Sequence, residues 1–131
     1  MIKIHQGVDI VDISKFKKVF LKNRNFILDI FTEKEREYCL SKKDPHIHFA
    51  GRFAAKEAGM KALGIGIHGS GIAHAFHEIE TLNGASGRPL LYFSGWVEKI
   101  SKKRRINQLT VSISHSSNYA VATVILVGNQ N

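Results

Sequence analysis

Two stretches of the chain place acids where acids are out of character. In FAAKEAGMKALG, residues 53–64, Glu57 and Lys61 stand four apart among mostly small and apolar residues. In GVDIVDI, residues 7–13, Asp9 sits between valine and isoleucine. On a helix turning about 100° per residue, Lys61 lies about 40° from Glu57, and Ala50 and Ala54 share that face. The opposite face holds Ala55, Gly59, Ala62 and Leu63, with Arg52 and Lys56 at its edge. A helix with so little polar surface is expected to be largely enclosed. An exposed Glu-to-Lys pair at this spacing contributes only about 0.2–0.5 kcal/mol. An enclosed carboxylate costs more than that unless a cation compensates it.

Two readings follow. In the first, Lys61 is the compensating partner and the pair is structural. In the second, Asp9 and Glu57 converge, repel each other and call for a metal cation. Two hard oxygen ligands, completed by waters and phosphate oxygens, are the usual way Mg²⁺ is held at phosphate-transfer sites. Strand alternation supports placing Asp9 with Gly7 and Val11 on one face, and Val8 and Ile10 on the other. Asp12 is set aside because it stands at the strand's end.

The elements that must carry these residues can be read along the chain. Residues 2–13 are β-branched and partly alternating, the signature of a strand. From Ser14 the spacing of Phe16, Val19, Phe20 and Ile27 predicts a helix, with Lys15, Lys18 and Lys22 in a stripe beside the apolar positions. Thr32 and Glu35 form a capping box that starts a short helix through Cys39. Asp44-Pro45 starts the helix that carries Glu57, and Gly64 ends it. A glycine-rich loop follows. Then HEIETLNG and GRPLLYFSG predict strands around a turn at residues 84–87, and residues 95–105 a helix ending in Lys102-Lys103-Arg104-Arg105. The tail LTVSISHSSNYAVATVILVG predicts a β-hairpin turning near residues 116–118. Helices segregated from hairpins imply an α+β fold with an antiparallel sheet and a long central helix, in a single domain over 1–131.

Composition sets the outer limits. The 131 residues are 44% hydrophobic with ordinary charge content, as in globular proteins, and no apolar run suits a membrane span. MIKIHQGVDI has no long apolar core before a small-residue cleavage site, so no signal peptide is expected. The single cysteine, Cys39, excludes an internal disulfide and fits a reducing, cytoplasmic setting. A net charge of +8 implies attraction to something acidic, or a solubilising shell. Residues 64–69 spell G-x-G-x-x-G but follow a helix rather than a strand, so the dinucleotide-binding context is absent. The seven histidines lack a cysteine framework and are expected mostly at the surface.

Taken together, GVDIVDI (7–13), FAGRFAAKEAGMKALG (49–64), NGASGRP (83–89) and VSISHSSNYAVATVIL (111–126) resemble, in order and spacing, the motifs of the bacterial holo-acyl-carrier-protein synthases. These are small 4′-phosphopantetheinyl transferases, and the resemblance covers essentially the whole chain. It implies transfer of the phosphopantetheine arm of coenzyme A to a serine of apo acyl carrier protein, releasing adenosine 3′,5′-bisphosphate and supporting fatty acid biosynthesis. It implies Mg²⁺ on Asp9 and Glu57, and Glu57 and Lys61 as catalytic residues. Arg52, Gly87, Arg88, Pro89, Ser114 and His115 fall at coenzyme-binding positions. Lys15, Lys18, Lys22 and Arg24 fall where the family docks the acidic carrier. It further implies a homotrimer with active sites between subunits.

Ser114 and His115 are adjacent on a strand and project to opposite sides, so they do not form a nucleophile–base pair. The chain departs from the family pattern at His5-Gln6, at Phe76 where tryptophan is usual, and at Gly59 in mid-helix. A reading of a different class is a non-catalytic basic module for nucleic acid or an acidic protein. No nucleic-acid-binding motif is visible to support it, and the expectation is of no nucleic acid and no membrane partner. A third is a transferase-like scaffold without turnover.

Overall fold

A computed structural model describes residues 1–66 and 72–130. The strand at the N-terminus, β1 (Ile2–Asp12), is as the alternation predicts. Asp12 ends it and caps the helix α1 (Ile13–Lys22), its carboxylate accepting from the Lys15 amide at 3.1 Å. The helix expected to run on through Ile27 breaks here. Asn23 is extended, and a second helix, α2 (Arg24–Ile30), starts after it. Phe16 is buried on α1, whereas Val19, expected on the apolar stripe, is 43% exposed.

The capping box holds. In α3 (Glu33–Leu40) the Thr32 hydroxyl accepts from the Glu35 amide, and Glu35 Oε1 accepts from the Thr32 amide. The central helix α4 (Pro45–Leu63) begins on its proline and ends on Gly64 in the left-handed conformation, as expected. A short helix, α5 (Ile72–His77), stands where no helical pattern is predicted, so the strand expected from His77 begins only at β2 (Ile79–Asn83). β3 (Pro89–Phe93), α6 (Gly95–Lys103), β4 (Ile106–His115) and β5 (Tyr119–Asn129) complete the chain. The loop expected over 64–69, with its glycine pattern and His68, lies largely outside the described residues.

Two antiparallel sheets form, in the orders β1-β5-β4 and β2-β3. Asp9 pairs with Ala122, and Ser116 Oγ accepts from the Asn118 and Tyr119 amides to close the β4–β5 hairpin. Alternation then sorts the larger sheet. Gly7, Val11, Ala120, Ala122, Val124 and Leu126 face inward and are buried. Ile4, Val8, Ile10 and Ile125 face outward and stay exposed.

The core lies between the inward face and α4. Ala50, Ala54, Ala55, Ala58 and Ala62 are buried along that helix, and small side chains allow close approach. Gly7 is where the approach is closest. A Cβ there would stand 2.0 Å from the Ala58 carbonyl oxygen and 2.8 Å from the Ala62 nitrogen. Helix backbone therefore rests directly on strand backbone, which fixes how Glu57 and Lys61 sit over Asp9.

Lys56, expected at the edge of the helix, is in the core with no exposure at all. Its ammonium donates to Glu35 Oε1 (2.7 Å), Phe76 O (2.9 Å) and Ile79 O (2.6 Å). Glu35, also fully buried, accepts from the Thr81 amide at 3.0 Å as well. Both charges are thus paired and hydrogen-bonded, the condition under which an ion pair can be held away from water. The pair ties α3, α4 and β2 together.

Candidate active site

The first cluster gathers Asp9, Glu57 and Lys61. Asp9 is on the inward face of β1, as alternation predicts, with its side chain 11% exposed. Lys61 reaches it from α4, donating to Asp9 Oδ1 at 2.9 Å and to the Val8 carbonyl at 3.1 Å. Lys61 therefore pairs with Asp9 across the helix–strand contact, and not with Glu57 as the local spacing suggested. Glu57 is half-buried beside them. Its carboxyl is pushed up from 4.5 to about 7, first by burial and then by the Asp9 anion, while Lys61 pulls the other way. The two acids, 48 positions apart, feel each other's charge. Among the described residues no three His, Cys, Asp or Glu side chains converge. What the cluster offers a divalent ion is two hard carboxylates, one of them disfavoured as a bare anion.

An apolar groove of about 320 Å³ leads to Glu57. Phe16 and Val19 of α1, Phe26 of α2 and Phe53 of α4 form much of its wall, and Lys15 lies in the same lining. Lys18 and Lys22 share the exposed side of α1, and Arg24 opens α2 next to them. The expected cationic stripe is therefore continuous with the groove over Glu57.

The second cluster gathers around Arg52. Arg52 is 4% exposed, and its guanidinium lies over the Tyr38 ring with 4.0 Å between its carbon and the centroid and donates to Asn83 Oδ1. Asn83 in turn donates to the Gly87 carbonyl at 2.9 Å, so Arg52 and the Gly87-Arg88-Pro89 turn are tied through one side chain. Pro89 pairs with Asn83 in the β2–β3 ladder. His48 stacks edge-on between Tyr38 and His115, with ring centroids 5.9 and 6.1 Å away. Burial, then the Arg52 and His115 charges, hold His48 below its ordinary value. Burial acts the same way on His46, packed edge-on against Phe20. These two are not the surface histidines expected from sequence.

Tyr38, His48 and Asn83 were missed as site residues. They come from three elements, and only the N-G-x-x-G-R-P order around Asn83 carries a local signal. Ser114 is not in this cluster. It pairs with Val121 on the outward face of the sheet, with Ile10 on the far side of that residue, while His115 faces the other way as expected.

The two clusters look in different directions. Arg52 precedes Glu57 by five residues, which on a helix is about 140° around the axis and about 7.5 Å along it. Among the described residues no hydrogen bond or ion pair joins one cluster to the other.

Comparison with known proteins gives one consistent result. A family model described as the 4′-phosphopantetheinyl transferase superfamily matches residues 6–124. A holo-[acyl-carrier-protein] synthase of Syntrophus aciditrophicus is 44% identical over 123 residues, 93% of this chain and 94% of that protein. One from Caldanaerobacter subterraneus subsp. tengcongensis is 39% identical over 129 residues, 98% of each. Among solved structures, a Chronobacterium ammoniagenes ACPS–CoA complex superposes with a TM-score of 0.85 at 29% identity, over 98% of this chain and 99% of that one. A Bacillus anthracis holo-(acyl-carrier-protein) synthase in complex with CoA (3′,5′-ADP) superposes at 0.77 with 34% identity, over 98% and 100%.

Proposed function

This chain belongs to the 4′-phosphopantetheinyl transferase superfamily, and we propose that it is a holo-acyl-carrier-protein synthase. It transfers the phosphopantetheine arm of coenzyme A to a serine of apo acyl carrier protein and releases adenosine 3′,5′-bisphosphate. The meeting of Asp9, Glu57 and Lys61 at the helix–strand contact carries this reading.

The reaction joins the serine oxygen to the phosphorus that bears pantetheine and breaks that phosphorus's bond to the bridging oxygen. The bridging oxygen leaves with the nucleotide. Charge gathers on phosphate oxygens, so positioning and electrostatic stabilisation are the main contributions the protein can make. Asp9 and Glu57 would hold Mg²⁺. When bound, Mg²⁺ neutralises charge on the diphosphate. Lys61, anchored by Asp9 and the Val8 carbonyl, keeps a cation next to the leaving phosphate. The serine proton passes to a carboxylate or a water of the same cluster.

Arg52, with Gly87, Arg88, Pro89 and His115, binds the nucleotide end of coenzyme A, and Ser114, on the outward sheet face, joins them across the subunit contact. Tyr38 and Asn83 hold Arg52 in place. Lys15, Lys18, Lys22 and Arg24 draw the acidic carrier to the rim of the groove over Glu57. Their effect falls on encounter and orientation, since exposed charges are screened at physiological salt.

The chain works as a homotrimer in the cytoplasm, serving fatty acid synthesis. The exposed Ile4, Val8, Ile10 and Ile125 on the open sheet face support subunit contact there. The divergence of the two clusters on α4 supports a site completed between subunits, one giving Asp9 and Glu57 and the next giving Arg52.

The direct test is intact mass of apo acyl carrier protein after incubation with the enzyme, coenzyme A and Mg²⁺. The carrier should gain the mass of the phosphopantetheine arm, and EDTA or Asp9→Ala should abolish the gain. Absence of any gain across a panel of carriers would overturn the assignment. The shared site has its own test. Asp9→Ala and Arg52→Ala subunits, each inactive alone, should recover activity when unfolded and refolded together, because some interfaces then pair two intact halves. No recovery in verified mixed trimers would refute a site divided in this way.

A further inference from the structure

We propose that the protein carries a second anion site, separate from the transferase site, for a compact phosphate-bearing ligand of the diphosphate class. It lies at the far end of the larger sheet. Lys3 and His5 of β1, Asn129 and Gln130 at the end of β5, and Lys103, Arg104 and Arg105 of the α6–β4 turn surround a pocket of about 280 Å³. Among the described residues no acidic side chain lines it.

The backbone assembles this cluster from three distant parts of the chain. Lys3 pairs with Gly128, and Ile106 pairs with the same residue from the other side. A Cβ on Gly128 would stand 2.5 Å from the Arg105 carbonyl oxygen, so glycine is what lets the turn close against β5. The Asn129 amide donates to that carbonyl at 3.2 Å. Arg105 itself is left-handed (φ 58°), a conformation most side chains avoid. The turn is thus held in an unfavourable shape that keeps two arginines and a lysine beside Lys3.

Ordinary surface chemistry does not account for the grouping. Among the described residues Lys3, Lys103, Arg104 and Arg105 form no ion pair, whereas the neighbouring Lys102 is paired with Glu98 at 3.3 Å. Arg104 passes close to Gly64 and can offset the negative end of α4, but that explains one cation of the four. His5 Nε2 is buried without a hydrogen-bond partner. Like charges brought together in a concavity repel one another, and an anion with several acceptor oxygens removes that repulsion. Liquid water occupies about 30 Å³ per molecule, so the pocket has room for a diphosphate and several waters.

The site is not an extension of the transferase cluster. His5 precedes Asp9 by four strand residues, about 13 Å, and no lining residue belongs to either cluster described above. The inference stands without the assignment of function.

Titration of the isotope-labelled, metal-free full-length protein with inorganic pyrophosphate, followed by amide chemical shifts, tests it. Saturable shifts are expected at Lys3, His5, Arg104, Arg105 and Asn129, distinct from any around Arg52 and Asn83. The double substitution Lys103→Gln, Arg104→Gln should weaken them about tenfold or more. It should leave the Arg52 and Asn83 shifts and the basal transferase rate unchanged, which also shows that the variant folds. Inorganic phosphate should bind more weakly than pyrophosphate. Shifts confined to the Arg52 region, drift without saturation, indifference to the double substitution, or equal affinity for the two anions would each overturn the proposal.

Discussion

Replacing Glu57 with glutamine should make the metal-free protein more stable at neutral and alkaline pH while abolishing transfer. Burial and the Asp9 anion raise the Glu57 carboxyl from 4.5 to about 7. The folded state therefore holds a proton that the unfolded chain has already released. Wild-type stability must fall as pH rises through that interval, and level off above about 7. At about 1.4 kcal/mol per pKa unit the ceiling is roughly 3 kcal/mol. Glu57 is only half-buried, and solvent screening reduces the effect to about 1–2 kcal/mol. Glutamine keeps the shape and removes the charge, so Glu57→Gln should escape this loss. Paired urea unfolding curves at about pH 4.5 and about pH 8, in EDTA and at one protomer concentration, give the difference. His46 and His48, whose neutral forms are favoured by burial, act on both proteins alike and cancel in the comparison. Mg²⁺ should raise wild-type stability at about pH 8 and leave Glu57→Gln nearly unmoved. Parallel pH profiles for the two proteins, or a variant destabilised at every pH, would refute the claim that Glu57 is held against its charge.

Lys56→Met should cost about 3–5 kcal/mol in urea unfolding, because it leaves the Glu35 carboxylate buried without a cation. Adding Glu35→Gln to it should recover part of that loss, and a cost near zero for the single substitution would show that the pair is dispensable. Gly7→Ala should destabilise by at least about 2–3 kcal/mol, since its methyl meets helix backbone at 2.0 Å rather than a movable side chain. Any folded fraction should need more Mg²⁺ for half-maximal activity, and an unaltered requirement would mean that the helix–strand contact does not set the acids' positions. Ile10→Lys on the open sheet face should shift the proposed trimer to monomer in sedimentation and lower activity in step. A fully active monomer would remove the shared site.

The sequence was most readable where local rules govern. Period-two alternation put Asp9 on the inward face with Gly7 and Val11, and the structure agrees. The Thr32–Glu35 box, the start at Pro45, the stop at Gly64 and the turn at Ser116 are each decided within a few residues. It was least readable where a partner is distant. Lys61 at four residues from Glu57 suggested a helical pair, but a strand 52 positions away supplied a closer carboxylate. Lys56 read as a helix edge because nothing nearby in sequence announces Glu35, 21 residues earlier, or the Phe76 and Ile79 carbonyls. Asn23 broke a helical pattern that hydrophobic spacing alone carried through, since spacing says nothing about where the backbone turns.

The central helix shows why local patterns expose its chemistry without assembling it. Its charged residues are not a solvated stripe. Lys56 points into the core, Glu57 and Lys61 meet β1, and Arg52 turns to Tyr38 and Asn83. Each direction is stabilised by a different neighbour, so rotating the helix to bring Arg52 to Asp9 would strip Lys56 of its carboxylate. A substrate bearing phosphates at both ends of a nucleotide needs both groups at once. Neither helix rotation nor side-chain reach brings Arg52 and Glu57 together, because their directions differ by about 140°. The groove over Glu57 also takes in Ile10 at the edge strand β1, so a second copy seated on the open face could bring its own Arg52 round that edge to the first copy's acids. On this geometry, the orientation that the buried Lys56–Glu35 pair gives the helix is also what the proposed sharing of a site between two subunits answers.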